Sequence, residues 1–269
     1  MEDNLKLTPV IAAQPAMRDV DIMVQTARAY PRDMVDVLRK SVAIATLSRD
    51  MAESCIYAIP RQSFNPATKR YETKMIKGLS THGARIIAQQ YGNLRVAGHI
   101  TEIGETMITA QGICYDLERN YAEVTEVRRK IVGSDGRRYS EDMIVITANA
   151  AISIATRNAI ARVVPQHVIN EVLRAVEKTI ATDPAISERL AKTLAMYRDK
   201  LQLSDVQIAN LIDKSSVEEI SADDVPTLIA IAQAIKDGEI SINEIKAPEE
   251  NEGAEKIKKV IESIKSKKS

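Results

Sequence analysis

The chain has 269 residues, with 37 Lys+Arg balanced by 37 Asp+Glu. Aromatic residues make up only 3% and Trp is absent, so the core must be aliphatic, and the zero net charge excludes a protein that is basic over its whole surface. The charge is uneven, however: residues 61–178 hold 17 Lys+Arg against 12 Asp+Glu, and residues 181–269 hold 13 against 17. This predicts a basic middle and an acidic C-terminal region.

The N-terminal part is predicted to be a flexible arm followed by helices. Residues 1–15 show no clear period, a helical period runs over residues 17–29, and Pro31 suits the first position of a second helix that extends to about residue 58. The next stretch, RQSFNPATKRYETKMIKG, is polar and contains Pro66, which predicts an exposed loop or a hairpin. Solvated charges are the default interpretation of its Lys and Arg residues.

A short helix and an antiparallel sheet are predicted next. Ser80 suits the N-cap of the helix, and Gly92 suits its left-handed end. From residue 94 to residue 117 the apolar period is two, with a turn at Gly104–Glu105, and residues 121–132 form a third strand. These features predict a meander of three or more strands, with one face free for a covering helix.

The covering helix is predicted at residues 141–164. Glycine and aspartate in Gly133–Gly136 predict a tight turn before it, Ser140 suits its N-cap, and Pro165 ends it. Its residues are apolar on nearly every side and many are small, which predicts burial on every side. Arg157 on such a helix needs either an internal ion pair or a polar ligand, and both alternatives are open.

The C-terminal part is predicted to be helical and partly separate. Helices over residues 166–180 and 185–201 flank a break at Asp183–Pro184, and a compact helical module follows. The predicted fold class is α+β: a β-β-β-α core with N-terminal helices and a small all-α module. The predicted divisions are an arm at 1–15, a core at 16–182, the module at 183–246 and a disordered tail at 247–269.

The sequence has no pattern typical of an enzyme site. It contains neither GxxxxGK[ST] nor GxGxxG, so no ATP, dinucleotide or other cofactor is expected, and its acidic residues form no nuclease-like metal motif. Cys55 and Cys114 are 59 residues apart and are expected to be reduced core thiols. Without a signal sequence or an apolar run near ~20 residues, the chain is expected to be soluble and cytoplasmic, with no membrane contact.

Two short motifs give the chain a resemblance to a known family. One is the segment from Gly78 to Asn93, a helix that ends in Tyr-Gly-Asn; the other is the Ala-rich helix that carries Arg157–Asn158. Together with the segment AESCIYAIPR, they resemble the phage single-strand annealing proteins of the RecT, Red-beta and Erf group, which are similar in core to the eukaryotic ring-forming annealing mediator. The resemblance covers residues 34–178. The lack of Trp and the single Phe64 depart from it and limit base stacking to tyrosines.

The resemblance implies a function in DNA recombination in a bacterial host. It implies protomers aligned side by side in a ring or helix, with single-stranded DNA in a continuous basic groove between sheet and helical layer. Two complementary strands would be held for pairing through an annealed duplex intermediate, without ATP and without catalysis. The residues expected to bind DNA are Lys69, Arg70, Lys74, Lys77, Arg85, Arg128, Arg129, Lys130, Arg137, Arg138, Tyr139, Arg157 and Arg162.

Two other functions are open: a self-assembling structural protein without nucleic acid, and an enzyme whose site has no recognisable motif. Open strand edges and the apolar helix predict a homo-oligomer larger than a dimer. The acidic C-terminal module is expected to contact a protein, for example a host single-strand-binding protein or a phage exonuclease. A chain ending at Lys200 would then keep its DNA binding. Alternatively, the module packs on the core and stabilises the oligomer.

Overall fold

A computed structural model describes residues 10–66, 69–133, 135–242 and 245. The predicted tail and the first nine residues of the predicted arm lie outside the described residues, and residues 10–15, which were also predicted to belong to the arm, are helical instead. The elements run in the order α1 (Val10–Ala29), α2 (Met34–Ala45), α3 (Arg49–Cys55), β1 (Ile56–Asn65), β2 (Arg70–Leu79), α4 (Thr81–Tyr91), β3 (Leu94–Ile103), β4 (Met107–Asp116), β5 (Tyr121–Lys130), α5 (Glu141–Val163), α6 (Gln166–Ala181), α7 (Ile186–Asp199), α8 (Asp205–Leu211) and α9 (Val225–Lys236). The predicted α+β class is confirmed.

The predicted helix over residues 31–58 is wrong. Asp33, not Pro31, begins α2, because its side chain accepts hydrogen bonds from two backbone N–H groups. The helix ends at Ala45, with Thr46 as its C-cap, and Ser48 caps the separate helix α3. The chain turns extended at Ile56 because β-branched residues and the constraint before Pro60 favour a strand.

Strands β1 and β2 form a two-stranded antiparallel hairpin, so the hairpin alternative is correct for the polar stretch. Its register runs from Ile56 opposite Leu79 to Asn65 opposite Arg70. Lys69, at the turn, has a left-handed φ of 54°. The buried end of the hairpin packs against α9. Its other end is polar, and charged residues of both strands are exposed there.

The meander β3-β4-β5 is antiparallel, and α5 covers one of its faces, as predicted. The approach is close: a Cβ at Gly112 would lie 2.2 Å from the backbone carbonyl of Ala155. Thr125 on β5 donates to the carbonyl oxygen of the same Ala155, at 2.7 Å. Small residues on both elements therefore allow the helix and the sheet to pack closely. The side chains of β4 alternate between a side that faces α5 and an outer side.

Helix α5 is not buried on every side, which corrects the sequence-based expectation. Met143, Val145 and Ile146 are 45%, 57% and 59% exposed. The sheet covers only one side of these first turns, whereas α4 and α6 also contact α5 and help to enclose its later turns. By length and composition α5 is also apolar enough to cross a membrane, which was not expected, and 39% of its most apolar stretch is buried in this structure.

The C-terminal helices share the core of the rest of the chain. Tyr197, Leu228 and Ile231 belong to the same buried cluster as Val37 and Ile87. Helix α9 packs against β1, and the buried hydroxyl of Tyr197 donates to the carbonyl of Leu228 at 2.7 Å. The described part of the module therefore packs on the core, which was the alternative to an independent unit.

Candidate nucleic-acid interface

The polar end of the β1–β2 hairpin concentrates positive charge. Lys74 lies directly opposite Arg61 on the neighbouring strand, and both side chains are exposed, as is Lys69 at the turn. Like charges directly opposite each other destabilise an antiparallel pair. No ion pair of Arg61 or Lys74 occurs among the described side chains. Sequence reasoning missed Arg61, because only the strand register places it beside Lys74.

Lys77 has a different environment from the rest of the hairpin. Its ammonium group lies 3.4 Å from the carboxylate of Glu177 on α6, and both side chains are partly exposed. The side chain of Arg70 lies outside the described part of the chain. The hairpin thus offers Arg61, Lys69 and Lys74 to solvent, while Lys77, which is also exposed, lies beside Glu177 of α6.

A second group of cations lies on the outer side of the meander, away from α5. Arg128 is aligned with Thr109 and Lys130 with Met107, at positions of β4 that alternate with its α5-facing residues. Both side chains are exposed. Arg95, which sequence reasoning also missed, is exposed on the same side, beside Tyr115.

The three predicted DNA-binding residues in the turn before α5 have different environments. Gly136 has a positive φ of 76° and lies in the tight turn that the sequence predicted. The side chain of Arg137 is 89% exposed, with Asp135 at 3.6 Å. Arg138 donates to the carbonyl oxygens of Gly104 and Glu105, at 2.7 and 2.8 Å, and so holds the β3–β4 turn. Tyr139 packs against the small cluster around Ile108.

Arg157 is held by an internal ion pair, one of the two alternatives that the sequence left open. Its guanidinium pairs with the buried carboxylate of Glu239, donates to Asn158 at 2.9 and 3.2 Å, and lies 4.3 Å above the ring of Tyr57. Burial raises the pKa of Glu239, and Arg157 opposes that rise. A phosphate contact at Arg157 would require this pair to open.

Arg129 binds the same segment after α9 that carries Glu239. It donates to the backbone carbonyl of Gly238 and, at 2.9 Å, to that of Glu239. Gly238 has a φ of 72°, and a Cβ there would lie 3.0 Å from Ala150 of α5. The segment after α9 therefore joins β5 to α5, and Arg129 serves this joint rather than facing solvent with Arg128.

The cleft between the sheet and the helices is not a basic groove in this structure. A cavity of about 470 Å³ lies between α4, β3 and α5, and Arg85 is the one charged residue among those that line it. The remaining lining residues are Ala88, Gln89, Leu94, Val96, Ala97, Gly98, Ile152, Thr156 and Ile160. Arg162 is exposed near the far end of α5, with Glu123 at 3.7 Å.

The two motifs behind the family resemblance both build buried arginine sites. Asn158 accepts hydrogen bonds from the guanidinium of Arg157. Tyr91, from the Tyr-Gly-Asn segment, lies 3.9 Å below the guanidinium of Arg32, which binds Asp116 at 2.5 and 2.7 Å. Asn93 joins this site through Glu118, at 3.0 Å. Sequence reasoning missed Arg32, whose partners lie far away along the chain.

The described residues hold no cluster of His, Cys, Asp or Glu that is suited to a metal ion. Both cysteines are free and buried, as expected. Burial raises the pKa of Cys55 to about 11 and that of Cys114 to about 12, so both thiols are protonated at neutral pH. Neither cysteine is suited to act as a nucleophile.

Comparison with protein-family models, with curated proteins and with solved structures finds no match to this chain.

Proposed function

We propose that this protein binds single-stranded DNA and anneals complementary strands without ATP, as a homo-oligomer acting in recombination. The observation that carries the proposal is the exposed pair Arg61 and Lys74 on the hairpin. Like charges so placed destabilise the fold, and a phosphate backbone relieves the repulsion. The exposed Arg95, Arg128 and Lys130 on the outer side of the meander supply further cations, beside the exposed Glu102 and Glu126.

The chemistry of such a protein is positioning. Cations bind phosphates regardless of sequence, which leaves base edges free to pair. The new duplex supplies the stacking energy, so neither a nucleotide cofactor nor a catalytic group is required. Partly buried Tyr115 is an aromatic ring on the outer sheet surface, whereas exposed Tyr121 lies on the α5-facing side of β5.

The α7–α9 surface supports the proposed protein contact. A cavity of about 410 Å³ between these helices has apolar residues such as Met196, Ile229 and Ile235 and is bordered by Lys200 and Lys236. A partner such as a single-strand-binding protein or an exonuclease would present apolar and acidic residues to it.

The experiment mixes the protein with two complementary oligonucleotides, one carrying a fluorophore and the other a quencher, in the absence of nucleotide. The expected result is faster duplex formation than without protein. Affinity for one labelled strand is then measured against salt concentration. If neither binding nor faster annealing occurs, the alternative of a structural protein without nucleic acid gains support.

The variant that tests the hairpin is Arg61→Gln with Lys74→Gln. If both cations contact phosphates, the slope of log K against log salt falls by about 1.4, at roughly 0.7 per contact. The matched control is Lys40→Gln with Lys192→Gln, which removes two exposed lysines that pair with Asp36 and Glu188 on their own helices. An unchanged slope in the hairpin variant would remove the hairpin from the interface.

A further inference from the structure

The two outer strands of the meander each have one unpaired edge. Among the described residues, β3 and β5 pair only with β4, and no backbone hydrogen bond extends from their other edges. Each strand has ten residues, and β3 contains neither Pro nor Lys, which commonly protect such an edge; its one irregularity is a shift in register with β4 between Ile100 and Glu102. Both edges are therefore competent to pair with another strand.

The side chains along the two edges are complementary in order. Because β3 and β5 both pair with β4, each β4 residue aligns one residue of β3 with one of β5. On the outer side of the sheet, Ile113 aligns Ala97 with Val124, Gln111 aligns His99 with Glu126, and Thr109 aligns Glu102 with Arg128. All six of these edge residues are exposed.

We propose that a second copy of this chain binds with its β5 alongside β3, parallel and with residues that share a β4 partner at the same level, so that Thr101 at the irregularity of β3 has no counterpart on β5. Strands β3 and β5 are both antiparallel to β4, so a copy displaced across the strands meets β3 in the parallel direction. Glu102 then lies beside Arg128 of the second copy and His99 beside its Glu126, while Ala97 meets its Val124. Opposite charges meet at Glu102 and Arg128, a hydrogen-bonding pair at His99 and Glu126, and apolar side chains at the third position.

The surroundings of the β3 edge also favour coverage by a second copy. Val96 is 37% exposed and Ile103 57% exposed on this strand. Ile152 of α5 lies beside Gly98, and Val145, which is 57% exposed, is two turns earlier on the same face of the helix. A neighbouring sheet would remove part of this apolar surface from water.

The interface is head-to-tail, since it joins different surfaces of two copies. Such a contact does not close after two copies and generates a ring or a helical filament. This inference rests on the self-association within the proposed function, and it specifies which surfaces meet.

The test uses Glu102→Arg and Arg128→Glu, each in the full chain, with mass measured by light scattering without DNA. The wild type is expected to assemble beyond a dimer at micromolar concentration. Each variant alone places like charges at every contact and is expected to dissociate. An equimolar mixture restores opposite charges at every contact and is expected to reassemble. Val206→Ser, at an exposed position on α8, is the control.

Reassembly in the mixture also shows that both variants fold. Should either variant lose its helical circular dichroism, Glu102→Gln and Arg128→Gln replace them, and a reduced mass is expected for each. Variants that keep the wild-type mass, or a mixture that stays dissociated, would overturn the edge pairing. A wild type that assembles but does not bind DNA would instead refute the proposed function and leave this pairing intact.

Discussion

The guanidinium of Arg157 lies in a buried site made by three separate parts of the chain. Tyr57 comes from the hairpin, Asn158 from α5 and Glu239 from the segment after α9. The side chains of Arg157 and Glu239 are 8% and 4% exposed. Burial of one charge without the other is strongly unfavourable, so this pair joins the C-terminal segment to the core.

Arg157→Ala is expected to lower the free energy of unfolding by about 3–5 kcal/mol, because Glu239 is left buried and unpaired. Urea denaturation measures the loss. The double variant Arg157→Met with Glu239→Gln, which removes both charges, is expected to be less destabilised. If Arg157→Ala weakens DNA binding and leaves stability unchanged, the ion pair does not have the structural role assigned here.

The buried pair of Arg32 and Asp116 makes stability depend on pH. Burial raises the pKa of Asp116, but hydrogen bonds from Arg32 and from the N–H of Arg119 outweigh it, so the pKa lies below its usual value. A lowered folded pKa contributes stability above the unfolded value of about 3.9, and that contribution is lost as pH falls through the folded pKa.

Asp116→Asn is therefore expected to lower stability at pH 7 by about 1–3 kcal/mol and to flatten the loss of stability below about pH 4. Urea midpoints at pH 7, 5 and 3 measure both effects. Asp135→Asn, in an exposed turn, is the control and should keep the wild-type dependence. A variant with the full acid sensitivity of the wild type would show that other carboxyl groups control it.

At the scale of elements, the contact between α5 and β4 depends on a missing side chain. A Cβ at Gly112 would overlap the backbone of Ala155, so the helix must move if Gly112 is replaced. Gly112→Ala is expected to cost about 1–3 kcal/mol through overpacking. Gly104→Ala is the matched control, since its Cβ would lie 3.3 Å from its nearest neighbour, the carbonyl of Met107. Equal melting temperatures for the two variants would contradict the close approach.

Most individual elements could be predicted because their signals are local. Ser80, Ser140 and Gly92 end or begin helices where the sequence placed them, and alternation located the three strands of the meander. The predicted helix over residues 31–58 failed because its apolar period continued past two local signals, the cap at Ser48 and the extended backbone before Pro60. Short apolar runs fit both periods, so the surrounding structure decides between them.

At the scale of the whole molecule, α8 and α9 complete the core. Leu228 and Ile231 are fully buried, and burial of each such side chain contributes about 1.5–3 kcal/mol. The total stability of a domain is only about 5–15 kcal/mol. Loss of the region beyond Lys200 thus removes stabilisation comparable with the total stability of the domain.

A chain ending at Lys200 is expected to lose cooperative unfolding and to bind a hydrophobic dye, in contrast to the sequence-based expectation that it would keep DNA binding. A chain ending at Ile245 is the control and should unfold as the full chain does. Thermal melting by circular dichroism distinguishes them. A cooperative transition in the shorter chain would show that the C-terminal helices form an independent unit.

The sequence by itself determined the α+β class, the meander, its covering helix and the uneven distribution of charge, because periodicity, caps and composition act over a few residues. Only the tertiary structure decided which cations face solvent. Arg128 and Arg129 are neighbours on one strand, yet Arg128 is exposed and Arg129 binds the backbone after α9. Arg157 binds a carboxylate 82 residues away. A charged side chain has the same local pattern in both situations, because its partner is set by packing between distant segments and not by its neighbours in sequence.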